Sequence, residues 1–241
     1  DRIMRWGADG GLTTFMKPAG RSNGMCFDAE GNLISCADEK NELWSISPDG
    51  KKKRILLKVY DRKRFNGPND VWVHPNGSLY FTDPFYKRMW WKHDQMPQDG
   101  QHVYYLSADR KQLVRVADDL VQPNGIIGSP DGEHLYVADI RDKKTYRYRI
   151  QADGSLSDKS LFCEMGSDGM TLDEEGNLYL TGNRGVTVFD RTGDQVQLIA
   201  VPERWSANVC FGGKDKKTLF ITASKGLYAV RMRVRGANQA K

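Results

Sequence analysis

Cysteine is scarce and unpatterned in this chain of 241 residues: Cys26, Cys36, Cys163 and Cys210 include no CxxC pair. That spacing argues against a thiolate zinc site and against a thioredoxin-like redox motif. Cys26 and Cys36 fall on adjacent strands of one hairpin, where a bridge requires a favourable register. Four buried free thiols acting as small apolar side chains is the preferred reading. No apolar run approaches the roughly 18 residues a membrane helix needs, and no window repeats apolar residues at i, i+3, i+4 and i+7. The sequence has no GxGxxG, no Walker sequence and no GxSxG, which removes support for nucleotide binding and for a serine nucleophile on an elbow. His74, His93, His102 and His134 show no metal-ligand spacing.

Charge of one sign is only mildly in excess. The net charge is +5 with a pI near 8.9, and the densest basic runs are KKKR (51–54) and DRKR (61–64). Lysine on strand edges discourages edge-to-edge pairing, and no RNA- or DNA-binding module accompanies these runs. The expected partner is a small molecule, with neither nucleic acid nor membrane. The chain starts with Asp, which suggests a processed or trimmed start and leaves the compartment unassigned.

What is present is a repeat. SNGMCFDAEGNLISCAD (22–38), PNDVWVHPNGSLYFTDP (68–84), PNGIIGSPDGEHLYVAD (123–139), SDGMTLDEEGNLYLTGN (167–183) and SANVCFGGKDKKTLFITAS (206–224) each run polar head, apolar strand, turn, apolar strand. The heads are Asn23, Asn69, Asn124, Asp168 and Asn208, at spacings of 46, 55, 44 and 40. A period of about 40–50 residues with four strands per unit is the signature of a β-propeller. The chain therefore reads as one all-β domain, a six-bladed propeller of four-stranded antiparallel blades. Its expected parts are 1–18 (outer strands of an incomplete first blade), 22–62, 66–118, 122–165, 167–202 and 206–235. About three strands of the complete fold are missing from that count.

In such a fold the first strand of each blade leaves the face carrying the heads and the second returns to it. The heads and the loops after each second strand then share one face. Four of those loops are short; the fifth, DPFYKRMWWKHDQMPQDGQ (83–101), holds Phe85, Tyr86, Met89, Trp90, Trp91 and His93. It reads either as a substrate wall or as a patch packed on a neighbouring blade or subunit. Amide and carboxylate oxygens are hard ligands suited to calcium, magnesium or manganese. Each head taken singly is better explained as a turn residue; a set in register around one axis favours a common role.

These segments, with FNGPNDVWVHPNGSLYFTDP (65–84) and SDGMTLDEEGNLYLTGNRGVTVFD (167–190) the most telling, resemble the SMP-30/gluconolactonase/LRE-like family from Arg2 to about Arg231. The resemblance implies a six-bladed propeller holding one divalent cation, calcium first with magnesium, manganese or zinc as alternatives. It also implies hydrolysis of lactones or related esters. By motif it makes Asn69, Asn124 and Asp168 metal ligands. A further family ligand, a Glu in a Glu-Gly-Pro segment before the first blade, has no counterpart in this chain.

On this reading the metal polarises the lactone carbonyl while Asp168 orients or deprotonates the attacking water. Asn69, Asn23, Asn208, Asp83, Tyr86 and Trp90 are the expected substrate contacts. Asp83 and Asp139, at the ends of second strands, either support the ligands or cap turns. The rival readings are a non-catalytic propeller used as a binding platform and a phosphotriesterase-like hydrolase with the same metal site.

Overall fold

A computed structural model describes residues 1–7 and 10–237, and among these there are strands and turns but no helices. No helix is therefore long and apolar enough to cross a membrane. The chain divides into two compact units, Asp1–Gln122 and the residues from Pro123 onward.

In the first unit, β1 (Ile3–Trp6) pairs with β2 (Leu12–Met16). A four-stranded sheet follows, made of β3 (Ser22–Phe27), β4 (Leu33–Ala37), β5 (Glu42–Ile46) and β6 (Lys53–Leu57). A short ribbon joins β7 (Val59–Tyr60) to β8 (Lys63–Arg64), and a second four-stranded sheet holds β9 (Val71–Val73), β10 (Leu79–Asp83), β11 (His102–Leu106) and β12 (Leu113–Ala117). The second unit has β13 (Pro123–Gly128), β14 (His134–Asp139), β15 (Lys144–Ile150) and β16 (Leu156–Cys163) in one sheet. The next sheet comprises β17 (Met170–Leu172), β18 (Leu178–Gly182), β19 (Gly185–Phe189) and β20 (Gln195–Ala200). A three-stranded sheet of β21 (Ser206–Gly212), β22 (Thr218–Ala223) and β23 (Gly226–Arg231) closes the series. Strand order follows chain order in every sheet, so the architecture is all-β, with the four-stranded antiparallel blades of a β-propeller.

The blade count departs from expectation. Five sheets of three or four strands form, not six, because β1 has β2 as its only ladder partner among the described residues. Ile3 of β1 is buried with Leu33 and Trp44 of the next sheet. On the same two strands Met4, Trp6 and Leu12 are exposed. The ribbon β7–β8 was not anticipated from sequence; its turn, Asp61 and Arg62, uses left-handed backbone at two non-glycine positions.

Burial on both faces explains why the second strands read as unbroken apolar runs rather than alternating ones. In β4, Leu33 and Ala37 pack with Trp44 and Ile3. Ile34 and Cys36, on the opposite side, pack with Val71, Phe81 and Tyr104. This is the period of two expected of a strand between two cores. The same arrangement recurs in the second unit, where Tyr179, Val186 and Val188 meet Val209, Leu219 and Ile221.

Turn chemistry repeats too. In DAEGN the Asp28 carboxylate accepts the N–H groups of Glu30 at 3.1 Å and Asn32 at 2.7 Å, and in DEEGN Asp173 does the same for Glu175 at 3.0 Å and Asn177 at 2.8 Å. The glycine of each turn is left-handed, with φ of 79° at Gly31 and 81° at Gly176, a region costly for a residue with a Cβ. All four cysteines are free, and Cys26 pairs across the ladder with Ile34 rather than Cys36.

Candidate functional site

Ladder register tests which residues are equivalent heads. The inner-strand residues that face the position two after the leading leucine of each second strand are Met25 (opposite Ser35), Val71 (Phe81), Ile126 (Val137), Met170 (Leu180) and Val209 (Ile221). Counting back two places gives Asn23, Asn69, Asn124, Asp168 and Ala207. Asn208 therefore sits one place late, and Ala207 occupies the head position of the last sheet. Its bonding agrees. Asn208 Oδ1 accepts the N–H of Val209 at 2.9 Å, as Asp70 Oδ1 accepts that of Val71 at 2.9 Å. The Asn208 N–H donates to Thr222 Oγ1 at 3.0 Å, as that of Asp70 donates to Thr82 Oγ1 at 3.2 Å.

In the first unit Asn69 is 5% exposed. Its backbone is fixed from both sides: its N–H donates to Thr82 O at 2.9 Å, and its carbonyl accepts the N–H of Gly24, next to the head Asn23, at 2.7 Å. Among the described residues its side-chain amide makes no hydrogen bond, and its polar atoms are not sealed from solvent. Asn23 itself is exposed.

The chain leading to Asn69 is held firmly. Asp83, fully buried, accepts the N–H of Asn66 at 2.9 Å on one oxygen and that of Gly67 at 2.8 Å on the other. Asn66 Nδ2 donates to the Asp83 and Gly100 carbonyls, and Asn41 Nδ2 to those of Phe65 and Asn66. Burial pushes the Asp83 carboxyl up to about 7, against the two N–H bonds and with a smaller push from Asp38. Both carboxylate oxygens thus bond the backbone that carries Asn69, a supporting place rather than the substrate contact expected of Asp83. Asp139 has a similar position at the end of β14, buried and accepting the N–H of Asp142 at 3.1 Å.

The long loop after β10 packs largely on the preceding sheet. Arg88 Nε donates to Asp38 Oδ2 at 2.7 Å, and Trp91 Nε1 to the Asp38 carbonyl at 2.8 Å. A Cβ on Gly67 would lie 2.8 Å from the Trp91 ring and 2.9 Å from Asp38 Oδ1, so only glycine fits beneath this contact. Burial raises the Asp38 carboxyl, with Arg88 opposing. Trp90 and Tyr86 remain half-buried. The Arg21 guanidinium lies 4.1 Å from the Trp90 ring centroid, and that of Arg88 5.3 Å from the Tyr86 centroid. Arg21, Arg88 and Asp38 were missed from sequence. Asp38 had a signal, since each of the first three repeats ends its second strand on or next to an Asp: Asp38 just after β4, and Asp83 and Asp139 as the last residues of β10 and β14.

In the second unit Asn124 is 2% exposed within β13. Gly125 beside it donates to Ser167 O at 3.2 Å, and a Cβ there would come within 2.9 Å of the Asp168 carbonyl. The Asp168 carboxylate accepts Trp205 Nε1 on Oδ2 at 3.2 Å, and Trp205 is a further residue that no motif points to. Taken by residue type, an Asn amide oxygen, as at Asn69 in the first unit or Asn124 in the second, and the Asp168 carboxylate are each hard donors of the kind a divalent cation takes. Among the described residues no three His, Cys, Asp or Glu gather in a way that could hold a metal.

Comparison with known proteins gives a consistent result. The model of the SMP-30/gluconolactonase/LRE-like region matches residues 1–225. A gluconolactonase of Zymomonas mobilis is 30% identical across 97% of this chain and 73% of its own length. The solved structure of a gluconolactonase from Xanthomonas campestris superposes with a TM-score of 0.88 at 30% identity, covering 95% of this chain and 78% of that one. The diisopropyl-fluorophosphatase of Loligo vulgaris is 27% identical over 81% of this chain and 66% of that protein. The chain belongs to the SMP-30/gluconolactonase/LRE-like family.

Proposed function

We propose that this protein is a divalent-metal-dependent hydrolase that opens a sugar lactone. The observation that carries the reading is Asn69, buried at a head position with its amide making no hydrogen bond among the described residues. Asn124 and Asp168 hold the equivalent register in their own sheets. The gluconolactonase relatives support the substrate class. We also read β1–β2 as strands three and four of a first blade, which makes the fold six-bladed.

Asn69, Asn124 and Asp168 would hold the cation, calcium in first place, and when bound it would supply Lewis-acid polarisation of the lactone carbonyl. Asp168 orients the attacking water and takes its proton on a carboxylate oxygen. The Trp205 N–H on Oδ2 restricts rotation of that carboxylate. Water oxygen bonds the acyl carbon, the ring C–O bond breaks, and the proton ends on the departing ring oxygen. Asn23, Tyr86 and Trp90 contact the sugar, and Asp83 fixes the backbone behind Asn69.

The test is a lactone panel run alongside calorimetric titration with calcium, magnesium, manganese and zinc. One divalent site and lactone turnover are expected, with both lost in Asp168→Ala. Lactonase activity retained in that variant would overturn the assignment. The likeness to a diisopropyl-fluorophosphatase favours a second reading, a phosphotriesterase-like hydrolase on the same residues. Hydrolysis of a phosphotriester faster than of any lactone in the panel would select it.

A further inference from the structure

A pair of arginines in the first unit has no part in the chemistry described so far. Arg21 stands two residues before the head Asn23, its N–H held by Asp1 Oδ1 at 2.8 Å. Its guanidinium rests against the Trp90 ring at 4.1 Å, and its charge lowers the Asp38 carboxyl through space without a hydrogen bond to it. Arg88 lies 5.8 Å from the same ring centroid. It donates Nε to Asp38, leaving the remaining N–H donors of the fork unengaged by protein among the described residues. Asp38, 4% exposed, is taken up by Arg88, and the Asp1 carboxylate by the backbone N–H groups of Ala19 and Arg21, so neither bonds the Arg21 guanidinium. Asp38 also adjoins Gly67, two residues before Asn69, so the two guanidiniums flank the proposed site.

An exposed guanidinium laid on an indole face is oriented by the cation–π contact and keeps its edge donors for a ligand. Planar paired donors match the oxygens of carboxylate, sulfonate and phosphate.

We infer that Arg21, presented on Trp90 and assisted by Arg88, forms a subsite for an anionic substituent, and that the enzyme selects lactones of acidic sugars over neutral ones. This rests on the proposed lactonase reading. Arg21 is thereby a specificity-determining residue, recognising a group remote from the carbonyl that reacts. The alternative, that the Arg21–Trp90 contact only clamps the loop, makes a different kinetic prediction. Loosening the loop lowers turnover of neutral and anionic lactones together; loss of a subsite lowers the anionic one selectively.

The experiment compares kcat/KM of the metal-loaded full chain on glucono-δ-lactone with that on its 6-phospho and 6-sulfo analogues. The wild type is expected to favour the anionic substrates. In Arg21→Ala the anionic-to-neutral ratio should fall by about ten- to a hundredfold, the range of a charge-assisted hydrogen bond. Arg21→Lys should restore part of the ratio. Arg54→Gln, the same charge change on an exposed residue of β6, should leave it unmoved. A wild-type ratio at or below one, or an equal fall for all substrates in Arg21→Ala, would overturn the inference. If no lactone is hydrolysed, the functional reading fails instead. The subsite is then decided by calorimetry with 6-phosphogluconate against gluconate: tighter binding of the phosphate that Arg21→Ala removes supports it, and equal binding of the two refutes it.

Discussion

Replacing Asp83 by Asn separates charge from shape at the residue that supports Asn69. Both Asp83 oxygens accept backbone N–H groups, from Asn66 and Gly67, and an amide can offer only one acceptor oxygen there. Its NH2 would face a second donor, a loss of about 1–3 kcal/mol for the unsatisfied group. Against this stands the charge. Burial raises the Asp83 carboxyl from 3.8 to about 7, so the folded chain holds this proton more tightly than the unfolded chain does. The associated stability is fully present below the unfolded value and is lost as pH rises through the folded one. The rise corresponds to roughly 4 kcal/mol, none of which an Asn at this position can show.

Asp83→Asn should therefore be the less stable protein near pH 4–5, and its deficit should shrink and then reverse toward about pH 8. Urea unfolding followed by tryptophan fluorescence across that range measures it. The difference between the two proteins cancels the titrating groups remote from Asp83, while Asp38, which pushes Asp83 up, contributes a smaller change of the same origin. A difference that stays constant with pH would refute the reasoning, because Asp83 would then titrate alike in both states.

Two further outcomes follow from packing. Gly169→Ala would place a Cβ 2.5 Å from Asn208 Cγ and 2.8 Å from its Cα, contacts that side-chain rotation alone cannot clear. It should lower stability by about 1–3 kcal/mol, while Gly125→Ala, at 2.9 Å from the Asp168 carbonyl, should cost less; equal urea midpoints for wild type and Gly169→Ala would refute this. Cys36 and Cys163 are buried, and burial holds the Cys163 thiol up to about 11. Both should resist a thiol reagent in the native protein at mildly alkaline pH and react after denaturation, read by mass spectrometry of labelled peptides.

The repeat made the sheets legible because each blade is a local object: its strands follow one another in the chain, and its turns carry their own signals in Asp28–Gly31 and Asp173–Gly176. What crosses between blades was not legible. The loop after β10 reaches Asp38 from Arg88, fifty residues away, and no periodicity within 84–101 encodes that partner. Asn208 shows the same limit at finer scale. SANV contains an Asn near the right place, but only the pairing of Val209 with Ile221 fixes the count and puts Ala207 at the head. The glycines after the heads carry the sharpest lesson. Asn-Gly and Asp-Gly read as turn sequences, which explains a glycine by its backbone conformation. Yet Gly24, Gly125 and Gly169 are absent from the left-handed residues of this chain. At each of them a Cβ would strike the next sheet near its own head: Asn69 and Asp70 for Gly24, Asp168 for Gly125 and Asn208 for Gly169. They are glycine because successive inner strands approach too closely for a side chain. The motif that looked like a turn is, physically, the spacing that sets one head beside the next.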